Sequence, residues 1–120
     1  MKLKLSQIVD NEVSLSKLGE VKFPATKVSF KIARIVDKLA PDLKNYHKQR
    51  QELLEKYGKK EEKEGKIFYS FEADKAETFT KEIEDLLSLE IDVDFEPINI
   101  TEIGDMEIEP KLLIPWVFTS

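Results

Sequence analysis

The residue types and spacing that come nearest to a functional site are four carboxylates that alternate with apolar residues. They belong to Glu90, Asp92, Asp94 and Glu96. On one face of a β-strand, side chains two residues apart lie about 6.8 Å from each other, which is near the spacing of successive phosphates in a nucleic-acid strand. Three interpretations are open. The carboxylates could form the water-facing side of a half-buried strand, an acidic surface that binds a basic protein site or mimics a nucleic acid, or a metal site made by Asp92 and Asp94.

Little else in the sequence points to metal binding or catalysis. Two carboxylates on a flat strand hold Ca²⁺ or Mg²⁺ poorly, and the calcium-loop spacing is absent. There is no cysteine, and the single histidine, His47, can neither build a zinc site nor head a catalytic triad unaided. We expect His47 to be solvated or to cap a neighbouring group. The sequence therefore predicts a protein that is not an enzyme and has no cofactor, no metal and no catalytic residues.

The charges of the 120 residues are unevenly distributed. Residues 1–60 hold 14 Lys and Arg against 7 Asp and Glu, whereas residues 61–120 hold 5 against 17. A stripe of cations at helical spacing could touch phosphates; it consists of Lys27, Lys31, Arg34 and Lys38. The net charge of −5 and the lack of a nucleic-acid-binding signature argue against such a partner. We expect the stripe to pair with carboxylates of the C-terminal half, and a bipolar surface is the alternative.

A long amphipathic helix is predicted over residues 25–57, because large apolar residues recur there at heptad spacing. Such a helix is about 50 Å long, and Gly58 ends it. Pro41 lies inside the pattern without changing its phase, so we predict a kinked but continuous helix, with two abutting helices as the alternative. The apolar seam could also join two copies of the chain into a homo-oligomer.

The remaining elements are shorter. We predict a strand at residues 2–5, a helix from Ser6 to Leu18 with Gly19 as its C-cap, and a mobile charged loop at residues 58–66. A strand at 67–71, a helix ending at Leu87 and an acidic strand region at 90–100 follow. Gly104 and Asp105 indicate a turn, and Pro110 could open a turn of helix. Together these predict one α+β domain over residues 1–120, in which the long kinked helix and one or two shorter helices pack on a small antiparallel β-sheet.

The last residues are strongly apolar and include Trp116 and Phe118. A segment of this kind must pack on its own domain or on a partner. No apolar run has the length of about 18 residues that a membrane span requires, and no signal-peptide core is present, so we expect a cytoplasmic protein.

Four segments of the chain can be compared with known sequences as a set: Met1–Leu5, Lys22–Ala25, Gln51–Gly58 and Asp92–Ile98. Together they resemble a family of short proteins of unknown function that are encoded in tailed-phage and prophage genomes of Gram-positive bacteria. The resemblance implies a phage accessory protein in the cytoplasm of the host cell or in the virion, and it supplies no catalytic residues.

Our leading expectation is a non-enzymatic protein that binds another phage or host protein, either in particle assembly or to a host factor. The surfaces expected to make this contact are the acidic residues 90–96 and the apolar residues Trp116 and Phe118. One alternative is an acidic inhibitor of a host nucleic-acid-binding or defence enzyme, and another is a structural component of the virion or its tail.

Overall fold

The computed structural model describes residues 1–104 and 106–119 and confirms the predicted α+β fold. The helices are α1 (Leu5–Asp10), α2 (Glu12–Glu20), α3 (Thr26–Tyr57) and α4 (Ala73–Leu87). The strands are β1 (Lys2–Lys4), β2 (Lys59–Lys63), β3 (Lys66–Ser70), β4 (Glu90–Asp92), β5 (Ile98–Asn99) and β6 (Phe118–Thr119). Two 3₁₀ helices cover Ile100–Ile103 and Pro110–Leu112. None of the described helices has the length and apolarity needed to cross a membrane.

Helix α3 runs unbroken through Pro41, which confirms the continuous helix over the alternative of two helices. Its buried residues are Val28, Ile32, Ile35, Leu39 and Tyr46. Only Tyr46 lies beyond Pro41, so the core surrounds the first half of the helix. This half of the apolar seam is therefore filled from within the chain and is closed to a second copy. The second half extends from the core together with α4, none of whose residues is fully buried.

The N-terminal region forms two helices where one was predicted. Lys4 precedes α1, and its backbone N–H donates to Oε1 of Gln7 at 2.9 Å, so Ser6 is not the N-cap. Asn11 separates α1 from α2 with φ −105° and ψ 11°, and the break shifts the helical phase. Leu15 is consequently buried, whereas Val13 is 69% exposed. Gly19 lies inside α2 and is not its cap.

The strands form three separate pairs and not the single antiparallel sheet that was predicted. Strands β1 and β4 pair antiparallel with Leu3 opposite Ile91, and β5 and β6 pair in parallel with Ile98 opposite Phe118. The strand predicted at 67–71 pairs with residues 59–63, so most of the predicted charged loop is strand β2. Lysine and glutamate can occupy this strand because both faces of the hairpin are largely open to water. Only Glu64 and Gly65 form the turn between the two strands.

The predicted acidic strand is interrupted. Strand β4 ends at Asp92, residues 93–97 have no regular structure, and the chain resumes pairing at Ile98. Pro97 supplies no backbone donor, which accounts for the break before β5. Ile98 and Asn99 then pair with the C-terminal segment, so the two halves of the predicted strand belong to different sheets.

The apolar C-terminal segment packs on its own domain. Its buried residues are Leu112, Ile114, Val117 and Phe118. They join a core cluster that includes Leu39 and Ile8. Pro110 opens the short 3₁₀ helix, as its position predicts. The turn predicted at Gly104 and Asp105 lies partly outside the described residues, because Asp105 is not among them.

The hairpin turn carries a residue that its backbone conformation disfavours. Glu64 has φ 52° and Gly65 has φ 77°, as in a type I′ turn. A positive φ costs an ordinary L-residue about 1 kcal/mol, whereas asparagine tolerates it well. We therefore expect Glu64→Asn to raise the free energy of unfolding by up to about 1 kcal/mol. Urea titration would measure this change, and no gain would show that the glutamate is not strained there.

Candidate functional site

The candidate site is an open groove of about 420 Å³ between α3 and the irregular segment that follows β4. Its lining residues are Lys31, Arg34, Ile35, Lys38, Asp94, Phe95 and Glu96. The groove therefore combines cations from the basic stripe of α3 with two of the carboxylates that the sequence singled out.

One side of α3 forms the first wall of the groove. Lys31, Arg34 and Lys38 follow one another at steps of three and four residues, which places them on one side of α3. Ile35 lies between them and is buried, so it anchors this side of the helix to the core. The wall is rigid because α3 is continuous over the whole stripe.

Residues 94–96 form the second wall of the groove, and backbone hydrogen bonds hold the chain on either side of them. The N–H of Val93 donates to the carbonyl oxygen of Met1 at 2.9 Å, and the N–H of Ile98 donates to that of Val117 at 2.7 Å. The side chains of Val93 and Ile98 are buried. Between these anchors the chain is not confined to a strand, so Asp94, Phe95 and Glu96 can turn toward the helix.

Ion pairs neutralise much of the basic stripe, as predicted. The Nζ of Lys31 lies 3.2 Å from Oε1 of Glu102, and that of Lys27 lies 3.8 Å from the same oxygen. The Nζ of Lys38 lies 3.8 Å from Oδ2 of Asp94 and also donates to the carbonyl oxygen of that residue. Arg34 forms no ion pair with any described residue, so its guanidinium is available to a ligand in the groove.

Glu102 is the carboxylate most affected by this arrangement. The side chain of Lys31 donates to it, which lowers its pKa, and the backbone N–H of Asn99 lowers the pKa further by donating to Oε2. Asn99 in turn caps the 3₁₀ helix by accepting from the N–H of Thr101 at 3.0 Å. Glu102 thus joins α3 to the 3₁₀ helix that follows β5.

The lowered pKa of Glu102 gives a pH-dependent contribution to stability. The contribution is present in full above the unfolded-state pKa of about 4.3 and is lost as the pH falls through the lower folded-state pKa. We expect Glu102→Gln to lower the urea midpoint of unfolding at neutral pH and to have little effect at low pH. Glu107→Gln serves as the control, because Glu107 is exposed and forms no ion pair with a described residue. A pH-independent difference for Glu102→Gln would contradict this.

The six residues predicted to bind a partner are placed differently from one another. Asp94 and Glu96 line the groove, and the half-buried Trp116 packs near it, with its ring centroid 6.2 Å from that of Phe95. Phe118 is only 6% exposed and belongs to the core, so its predicted partner contact is withdrawn.

Glu90 and Asp92 lie outside the groove, on strand β4. They stand directly opposite Lys4 and Lys2 of β1. Side chains opposite each other in an antiparallel pair share one face, so each carboxylate has a lysine beside it. The four carboxylates therefore do not form the single regular row that was predicted, because the strand that would carry them ends at Asp92.

Two residues of the groove were not predicted as site residues. In the sequence Arg34 is one more cation of the stripe, and Phe95 is one of the apolar residues that alternate with the carboxylates. Pro97 indicates that the strand could end early, so that Phe95 would not occupy a strand position. The sequence alone does not show which way an irregular segment turns.

The groove is equipped for binding more than for catalysis. Among the described residues no group of three His, Cys, Asp or Glu side chains could hold a metal ion. His47 lies elsewhere, with Nε2 2.8 Å from Oε1 of Glu12, in the partnered and partly solvated state expected for it. What the groove offers is charge of both signs beside the ring of Phe95. Comparison of the chain with protein-family models, with curated proteins and with solved structures finds no match.

Proposed function

We propose that this protein acts without catalysis, by binding another protein through the groove between α3 and residues 94–96. The observation that carries the proposal is the position of Arg34. Its guanidinium has no described ion-pair partner, yet it lies in a groove with two carboxylates and an aromatic ring. Guanidinium groups bind carboxylates through two parallel hydrogen bonds, so a free arginine in such a place favours a carboxylate ligand.

The rest of the groove fits a protein segment better than a small anion. Glu96 is exposed and can accept hydrogen bonds from a lysine or an arginine of a partner. Phe95 and Trp116 are half-buried and offer apolar surface beside these charges. Aromatic residues and arginine are common at the centres of protein interfaces. We therefore expect the groove to bind a segment that carries both an acidic and a basic side chain.

The setting that we propose is the one implied by the family resemblance, namely a phage accessory protein acting in particle assembly or on a host factor in the host cytoplasm. The alternative of nucleic-acid mimicry has weaker support. Lys2 and Lys4 stand opposite Asp92 and Glu90, and Lys38 pairs with Asp94, so the acidic segment is compensated by cations of its own chain.

The proposal can be tested by comparing variants in affinity capture from infected host cells. Arg34→Glu and Glu96→Lys each reverse one charge of the groove, and we expect each to weaken capture of the partner at least tenfold. Lys48→Glu is the matched control, because Lys48 lies on the same helix, outside the groove, and is exposed. A partner that is captured equally by all three variants would refute the groove as the binding site.

A further inference from the structure

The hairpin of β2 and β3 presents apolar side chains to water. Ile67 is 55% exposed and Phe68 is 51% exposed, although both lie in strand β3. A two-stranded hairpin is marginally stable on its own, and it is stabilised by further strands or by packing against a helix. One face of this hairpin contacts the end of α3, where Gln51 donates to the hydroxyl of Tyr69 at 3.0 Å. The neighbouring apolar positions of the strand are left open.

The register shows which backbone groups are free. Lys63 stands opposite Lys66, and the turn between them has two residues, so this closing pair is hydrogen bonded. The alternation of an antiparallel ladder then directs the N–H and C=O groups of Ile67 and Tyr69 away from β2. Within the described residues no backbone hydrogen bond from outside the hairpin reaches either residue. The outer edge of β3 is therefore an unpaired edge.

We propose that a second copy of this protein pairs with this edge, so that two hairpins form one four-stranded antiparallel sheet. A two-fold axis between antiparallel edges places one residue opposite its own copy. With Phe68 at this position, all residues of the strand pair. Phe68 then faces Phe68, Ile67 faces Tyr69, and Lys66 faces Ser70, without any pair of like charges.

The charge pattern of the other edge explains the choice of β3. All five residues of β2 are charged: Lys59, Lys60, Glu61, Glu62 and Lys63. Any two-fold pairing of two β2 strands would place one of these charges directly opposite its own copy. Like charges in that position are destabilising, and lysine on an edge strand is a common protection against pairing. Strand β3 lacks this protection at its three central positions.

The proposed pairing uses the free groups of the edge. The two pairs of Ile67 with Tyr69 each exchange two N–H···O bonds, which satisfies the groups that point away from β2. Phe68 falls in the non-hydrogen-bonded pair, where side chains approach most closely and aromatic pairs are favourable. The inference goes beyond the proposed function, because the hairpin shares no residue with the groove.

The first experiment measures the mass of the full chain in solution at increasing concentration. We expect the mass to rise from 13.9 kDa toward twice that value. Ile67→Pro removes an outward donor of β3, and Phe68→Lys places two cations opposite each other; each should weaken dimerisation at least tenfold. Lys60→Pro removes the corresponding outward donor of β2 and should leave dimerisation unchanged.

The outcomes separate clearly. A wild-type chain that stays monomeric at every concentration overturns the proposal, and so does a dimer that persists in Phe68→Lys. If both proline variants are monomeric, the prolines could have disrupted the hairpin itself. The Phe68→Lys variant then decides whether β3 is the interface, because this exposed side chain can change without loss of a hairpin hydrogen bond. The groove variants Arg34→Glu and Glu96→Lys should dimerise like the wild type. A failure of dimerisation would therefore leave the groove proposal standing, and the reverse is also true.

A second experiment tests the register. The sequence has no cysteine, so a single introduced cysteine can react only with its copy. In the proposed register the Cα atoms of residue 68 in the two copies lie about 4.5 Å apart, within the range that a disulfide bridges. Those of residue 66 lie about 14 Å apart, outside it. Under mild oxidation Phe68→Cys should form a covalent dimer and Lys66→Cys should not. The opposite result would overturn the register.

Discussion

Replacement of Leu112 by alanine should lower the free energy of unfolding by about 3 kcal/mol. Leu112 is only 5% exposed, and it packs in the same cluster as Leu18 and Leu39. Removing its branched methyl groups loses the free energy gained by burying them away from water. It also leaves a cavity that the surrounding core fills only in part. The loss would be a large fraction of the stability of a domain of this size.

Leu89→Ala is the matched control for this prediction. It removes the same atoms from a side chain that is 52% exposed, so the expected loss is less than about 1 kcal/mol. Urea titration of the two variants and the wild type gives both values, and an unchanged slope would show that only stability has changed. Equal losses in the two variants would mean that the C-terminal segment does not contribute to the core.

The elements that the sequence predicted correctly are those in which a local pattern determines the structure. The heptad spacing of large apolar residues from Val36 to Tyr57 predicts a continuous helix through Pro41, and this helix is present. The density of apolar residues after Pro110 predicts that the segment must be buried. The sequence left open whether its own domain or a partner covers it, because apolar side chains carry no label for the surface that they meet.

Only part of the strand pairing was predicted: β1 and β4 do pair antiparallel, as two strands of the predicted sheet, but the partners of the other strands were not foreseen. Strand β2 consists only of lysine and glutamate, so it has none of the apolar alternation that predicts a strand. Its partner β3 supplies the hydrogen bonds that make it one. The break at Asn11 was also missed, since a single residue leaves little trace in a helical pattern. That one residue decided whether Val13 or Leu15 faces the core.

The candidate site was predictable in its parts and not in its assembly. The basic stripe and the carboxylates Asp94 and Glu96 were each identified, and the expected ion pairing between them is present at Lys38. The predicted strand would have kept the carboxylates in a regular row facing water. The actual segment leaves the strand after Asp92, and this change alone brings Phe95 and Glu96 beside Arg34.

The largest gain in stability is expected from Pro41→Ala. Inside α3, Pro41 has no N–H to donate to the carbonyl oxygen of Asp37, and its ring crowds that oxygen. Alanine is favoured over proline by about 3 kcal/mol in a helix interior, which sets the upper limit of the gain. Pro41 is exposed, so its replacement removes no core contact, but alanine gives the unfolded chain more freedom and this offsets part of the gain. We expect a net increase of about 1 to 2 kcal/mol in the free energy of unfolding.

Ala33→Pro provides the mirror-image control. Ala33 is an exposed residue in the interior of the same helix, so a proline there removes a helical hydrogen bond without adding a buried group. The expected loss is about 3 kcal/mol, measured by the same urea titration. If Pro41→Ala were destabilising instead, the backbone path at Pro41 would be required by the packing on either side of it. The proline would then set the direction in which the second half of α3, and with it the hairpin of β2 and β3, leaves the core.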